Sequence, residues 1–202
     1  MALVKHNNNS ISAVTSMASL TTGAMTLISE QTASSSASVE FTTGIDSTYP
    51  IYKFEFINIH PQTNDVSFDI NFSTDGGSNY NVTKTTTVFR ARHKEDDTFT
   101  QLTYDTGFDL AQSTSNQPLS DTLSNDNDAN ASGNIFLFNP SSTTYVKNFI
   151  CNFNALSDSP LTNNQYVAGY GNTTSAINGV RFQMSSGNID SGTIKLYGIK
   201  DS

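Results

Sequence analysis

Residues 49–61, YPIYKFEFINIHP, decide the fold. Side chains of an extended strand alternate with period two, so Tyr52, Phe54 and Phe56 share one face and Lys53 and Glu55 the other. Ile57 and Ile59 make that second face apolar as well. The stretch predicts a strand that starts half-exposed and ends buried on both faces, as in the middle of a packed sheet. Its natural partner is the last apolar run, 192–199, GTIKLYGI. Two apolar strands so far apart in sequence predict one sheet closing on itself, and hence one β domain.

Working outward, the same alternation recurs. Val66, Phe68, Ile70 and Phe72 are expected inward, with Ser67, Asp69 and Asn71 outward. Tyr145, Lys147, Phe149, Cys151 and Phe153 form a row whose opposite face carries Val146 and Ile150. Shorter strands are expected over 25–28, 39–41, 81–92, 99–104, 135–138, 166–170 and 180–184. Gly-, Asn- and Ser-rich turns separate them, among them Ser34–Ser38 and Asp75-Gly76-Gly77-Ser78, because glycine supplies positive φ. Pro61 ends its strand, since proline cannot donate to a ladder. About ten strands and almost no helical period, a short turn near 108–112 excepted, predict an antiparallel β-sandwich of jelly-roll type.

Two segments fall outside this pattern. Residues 1–23 carry single hydrophobes in a polar background, too few to pack alone. Two readings stay open: a disordered tail, or an extended arm that orders on another subunit through Leu3, Val4, Ile11, Val14, Met17 and Leu20. The sandwich then spans 24–202. Within it, 105–133 lacks strand periodicity, and loops of that length in a compact domain are functional or disordered.

Composition narrows the function. Of 202 residues only 14% are charged, and the net charge is -8 with a pI near 4.6. Phosphate backbones demand a basic surface, so neither nucleic acid nor an anionic membrane is an expected partner. The single cysteine, Cys151, forms no internal disulfide. No apolar run approaches the ~20 residues of a membrane helix. Residues 1–20 lack the apolar core of a signal peptide, so synthesis and assembly in the cytoplasm are expected.

Candidate chemistry is sparse. His6, His60 and His93 lie in unrelated contexts. Asp126-Asn127-Asp128 has the alternating oxygens of a calcium loop but lacks its glycine and distal glutamate. No nucleophile elbow appears, and Glu40 and Glu55 offer no evident glycosidase pair. No enzyme activity, metal or cofactor is expected. The cluster Arg90, Arg92, Lys94, Glu95, Asp96 and Asp97 reads as a solvated hairpin tip or a subunit-contact patch. Tyr80, Tyr104, Tyr166 and Tyr170 could stack on sugars in place of the missing tryptophan.

Six segments, MALVKHNNNSISAVT, ISEQTASSSASVEFTTGIDSTY, YKFEFINIHP, FSTDGGSNYNVTKTTT, GNIFLFNPSSTTYVK and VAGYGNTTSAINGVRFQMSSGNIDSGTIKLYGI, cover almost the whole chain. Together the chain resembles virion structural proteins of tailed phages of aquatic bacteria, especially cyanobacteria. The resemblance implies a jelly roll and a capsid decoration (cement) protein on the virion surface. Its partners would be the major capsid protein and further copies of itself, as a homotrimer. The 105–133 loop, too long for a simple connection, is expected to reach a neighbouring copy. The alternative it leaves open is a tail or fibre component, or a receptor-binding module for host glycan. The matching segments mark turns and strand cores and carry no catalytic residue.

Overall fold

The computed structural model describes residues 24–200. Twelve strands follow in order: β1 (Met25–Ser36), β2 (Val39–Phe41), β3 (Ile51–Pro61), β4 (Phe68–Ser73), β5 (Lys84–Lys94), β6 (Thr100–Tyr104), β7 (Gln117–Pro118), β8 (Ala131–Phe138), β9 (Lys147–Leu156), β10 (Leu161–Gly171), β11 (Gly179–Met184) and β12 (Ile189–Ile199). No helix occurs among the described residues; near 108–112 there is only a turn, in which Phe108 N donates to Asp105 O. All pairings are antiparallel. An eight-stranded sheet runs β1-β12-β3-β8-β9-β10-β5-β6, and a four-stranded sheet runs β2-β11-β4-β7. The expected antiparallel β-sandwich is the fold.

The deciding stretch becomes β3, and its partner is β12, with Phe56 opposite Ile194 and Phe54 opposite Leu196. Tyr52, Phe54 and Phe56 are buried as expected. The second face behaves differently. Ile57 is 39% exposed, whereas Ile59 is fully buried. The cause is a bulge. Asn58 adopts φ +52°, and the register with both neighbouring strands shifts there. One extra residue resets the alternation, so Ile59 returns to the face of Phe56. The strand is buried on one face and not on two.

Phe56 centres the core. Its ring meets Phe68, Phe153 and Phe182 edge-on at 5.4, 5.5 and 5.1 Å, and Phe182 stacks on Phe68 at 5.7 Å. These four rings come from β3, β4, β9 and β11, so they join the two sheets. Edge-to-face pairs contribute about 0.5–1.5 kcal/mol each beyond area burial.

Three further expectations need correction. β1 extends through Ser36, so the Ser-rich turn is confined to the residues just before β2. Asp69 and Asn71, expected outward, are both buried, as is every residue of β4. Their cover is the segment expected to reach another copy. β7 pairs with Asp69 and Ile70 of β4, Leu123 bridges Val66 and Ser157, and Leu119 and Leu123 are buried in the same chain's core. The 105–133 segment packs along its own sandwich because β4 would otherwise leave a backbone edge and two polar side chains unpaired.

Candidate interaction surface

The inner face of the large sheet is spent on the core; its outer face is not. Register places Tyr104, Phe89 and Tyr166 side by side across β6, β5 and β10. Their alternation partners, Val88 and Val167, point inward, so the three rings stand outward. Phe89 stacks on Tyr166 at 4.8 Å with 7° between planes. Leu102, beside the row on β6, is 77% exposed, and Ile150 on β9 is also exposed. Tyr104 Oη donates to Asp109 Oδ2 at 2.7 Å, which fixes one end of the row and holds its phenol above the ordinary range. Aromatic rings with few rotors lose little entropy on docking, and they carry much of the energy at protein interfaces.

Next to this row a groove of about 390 Å³ runs over Ala168. Thr85, Thr87, Ile150 and Tyr170 form its sides. Gln112 Nε2 donates to Thr85 Oγ1 at 2.7 Å and to Tyr170 Oη at 3.4 Å, and Asn172 Nδ2 donates to Gln112 Oε1 at 2.7 Å. Of the four tyrosines considered for stacking, Tyr104, Tyr166 and Tyr170 therefore share this face. Tyr80 does not: it lies beside Arg181 of the small sheet, whose guanidinium sits 4.4 Å from its ring, and burial pushes its phenol up to about 12.

The charged cluster is divided by the strand. Arg90 points inward and pairs with Asp105 at 2.8 Å and with Asp121, while Phe108 lies 5.6 Å from the guanidinium. Asn163 donates to the same Asp121. Arg90 is thus committed to holding the 105–124 segment and is no part of an exposed patch. Arg92 donates to Gln101 and lies over Phe99 at 5.4 Å. Lys94, Glu95, Asp96 and Asp97 do share the exposed tip, but Lys94 pairs with Asp96 at 2.9 Å and His93 with Asp97 at 3.0 Å. Thr98 hydrogen bonds pull the Asp96 carboxyl down to about 2. Leu3, Val4, Ile11, Val14, Met17 and Leu20 lie outside the described residues.

The scattered polar groups stay scattered. Glu40 is on the small sheet, while Glu55 is on the large one, 2.6 Å from Lys53. His60 binds Asp126 O at 3.1 Å and lies 3.6 Å from Asp190, lining a polar cleft of about 340 Å³ with Asp128. Among the described residues no three His, Cys, Asp or Glu side chains converge as a metal would require. Two lysines are buried without a carboxylate: Lys84 Nζ donates to Asn71 Oδ1 and Val82 O at 2.6 and 2.8 Å, and Lys147 Nζ to Tyr145 O and Thr173 O at 2.6 and 3.2 Å. Burial lowers the Lys84 ammonium to about 8 and lowers that of Lys147. They flank Gly171 in one register row and close that end of the sandwich.

Sequence reasoning weighs the tyrosines but misses Phe89, the middle ring. The signal is there: in TVFRAR the inward Val88 forces an aromatic residue onto the opposite face. No family model, curated protein or solved structure matches this chain.

Proposed function

We propose that the chain is a structural protein of a phage virion, most simply a decoration protein that binds and stabilises the head shell. The sandwich is read as a jelly roll, the major capsid protein as its partner, and residues 1–23 as a docking arm. The observation that carries this reading is the outward row Tyr104, Phe89 and Tyr166 on a face that no other part of the described chain covers. A large rigid sheet presenting aromatic anchors suits docking to an extended protein surface. Burying such rings contributes about 25 cal/mol per Å² of apolar area, offset in part by the cost of association. Self-association belongs to the same reading, which takes a homotrimer from the resemblance alone; a loop reaching a neighbour no longer argues for it.

Immunogold labelling of whole virions tests the location. Label over the whole head supports decoration, and label confined to the tail overturns it. Purified protein lacking residues 1–23, added to stripped heads, tests the arm. Unchanged affinity would reject those residues as the docking element. A second reading, glycan recognition by a tail or fibre component, is favoured by the neutral groove over Ala168, where Tyr170, threonine hydroxyls and Gln112 sit together. Tail-only label together with glycan-array binding lost in Tyr170→Ala would establish it.

A further inference from the structure

β6 ends the large sheet, and its open edge is unprotected. Lys94 N donates to Phe99 O, and Asp105 N to Val88 O. In the antiparallel register with β5, these bonds assign Gln101 and Thr103 to the inward, bonded positions. By the same alternation the N–H and C=O of Thr100, Leu102 and Tyr104 point away from β5. Thr103 Oγ1 reaches Tyr104 O at 3.0 Å, a side-chain bond that a strand could displace. The strand TQLTY holds no charge and no proline, the devices that normally blunt an edge.

The other edge of this sheet is blunted. β1 carries Glu30, breaks register between Leu27 and Ser29, and sends Gln31 Nε2 to Glu40 O of β2 at 2.6 Å. β2 and β7, which end the small sheet, are only three and two residues long.

We infer that β6 is a pairing edge for a second copy of this chain, joined antiparallel about a two-fold axis at Leu102. Of the symmetric registers, that one alone mates all three outward residues of β6. Leu102 meets Leu102 of the second copy, and Thr100 meets Tyr104, so each outward N–H and C=O on one copy finds its mate on the other. A one-residue slip would set outward groups against inward ones. The pairing brings together two Leu102 side chains, each 77% exposed in one copy, and joins two aromatic rows into one outer surface. The inference gives a two-fold pair in place of the homotrimer taken from the resemblance, and it does not depend on the virion location, which particle labelling reads, so either can fail without the other.

Light scattering over a concentration series measures the mass, with four variants. Leu102→Pro removes an N–H that β5 does not use, and proline is tolerated at sheet edges. It is expected to stay folded and become monomeric. Leu102→Lys keeps the backbone but sets two like charges on the axis, and should do the same. Leu102→Cys is expected to give a disulfide dimer under mild oxidation. The Cα atoms of such a pair lie about 5.5 Å apart, inside the roughly 4.4–6.8 Å that a disulfide spans. Tyr104→Cys should not cross-link, since its own mate would lie four residues away, about 14 Å. The native Cys151 is buried and does not interfere. A monomer at every concentration, with no cross-link formed by Leu102→Cys, overturns the inference. So does an oligomer, of two or three copies, that Leu102→Pro and Leu102→Lys leave unchanged.

Discussion

Replacing Asp69 with asparagine should stabilise the protein at neutral pH and leave it nearly unchanged in acid. Asp69 lies on β4 under the β7 cover, opposite Pro118 in register and 6% exposed. Ser67 Oγ donates to its carboxyl at 2.6 Å. Burial outweighs that bond and raises the carboxyl from 3.8 to about 6. A folded state that holds its proton more tightly than the unfolded chain is favoured below the unfolded value and loses the advantage as pH rises through the folded one. Stability should therefore fall between about pH 4 and pH 6, by about 3 kcal/mol at 1.36 kcal/mol per pKa unit. Asparagine keeps the shape and the acceptor for Ser67 but carries no charge. Urea unfolding of both proteins at pH 4 and pH 7 gives the measurement. The variant should gain up to about 3 kcal/mol over the parent at pH 7 and close to nothing at pH 4, the amide donor reducing the gain if it finds no partner. A difference that is the same at both pH values, or a loss at pH 7, would refute burial of this carboxyl as the dominant effect.

Other outcomes follow from the same structure. Phe56→Ala should cost about 3–5 kcal/mol, because it opens a cavity among rings from four strands, whereas Ile57→Ser should stay within about 0.5 kcal/mol; chemical denaturation of the two separates the bulged strand from one buried on both faces. Lys84 is held at about 8 by burial, below its unfolded 10.5, so the unfolded chain binds more protons between those values and stability should rise with pH across them, by about 3 kcal/mol. Melts from pH 7.5 to 10.5 should show that slope in the parent and lose it in Lys84→Met. Gly198→Ala should destabilise by about 1–3 kcal/mol in thermal melts, since an added Cβ would overlap the Tyr49 ring.

Much of the fold was legible in the chain because strand periodicity is local. The alternation in β3 and β4 grouped Tyr52 with Phe54 and put Phe68 and Phe72 inward, and all four are in the core; in β9 it put Phe149 and Phe153 in one row without saying which way the row faced. β12 was identified as the partner of β3 from its apolar run alone. The bulge was not legible. Ile-Asn-Ile reads as uninterrupted strand, and only the backbone of Asn58, in the left-handed region that asparagine tolerates, reveals the extra residue.

The interaction surface was partly legible. Tyr104 and Tyr166 were named among four tyrosines able to stack on a sugar, but their union through Phe89 depends on which strands become neighbours, and register between β6, β5 and β10 is a tertiary fact. The fate of the polar residues was decided entirely in three dimensions. Asp69, Asn71 and Arg90 each look solvent-facing beside their own neighbours in sequence. Asp69 and Asn71 are buried, and Arg90 is partly so, because the aperiodic segment after Asp105 returns across the edge of β4, supplying β7, Asn116 and Asp121 as partners. Local alternation says which residues share a face; only the packed chain says what lies against that face, because a cover without periodicity announces no docking position of its own.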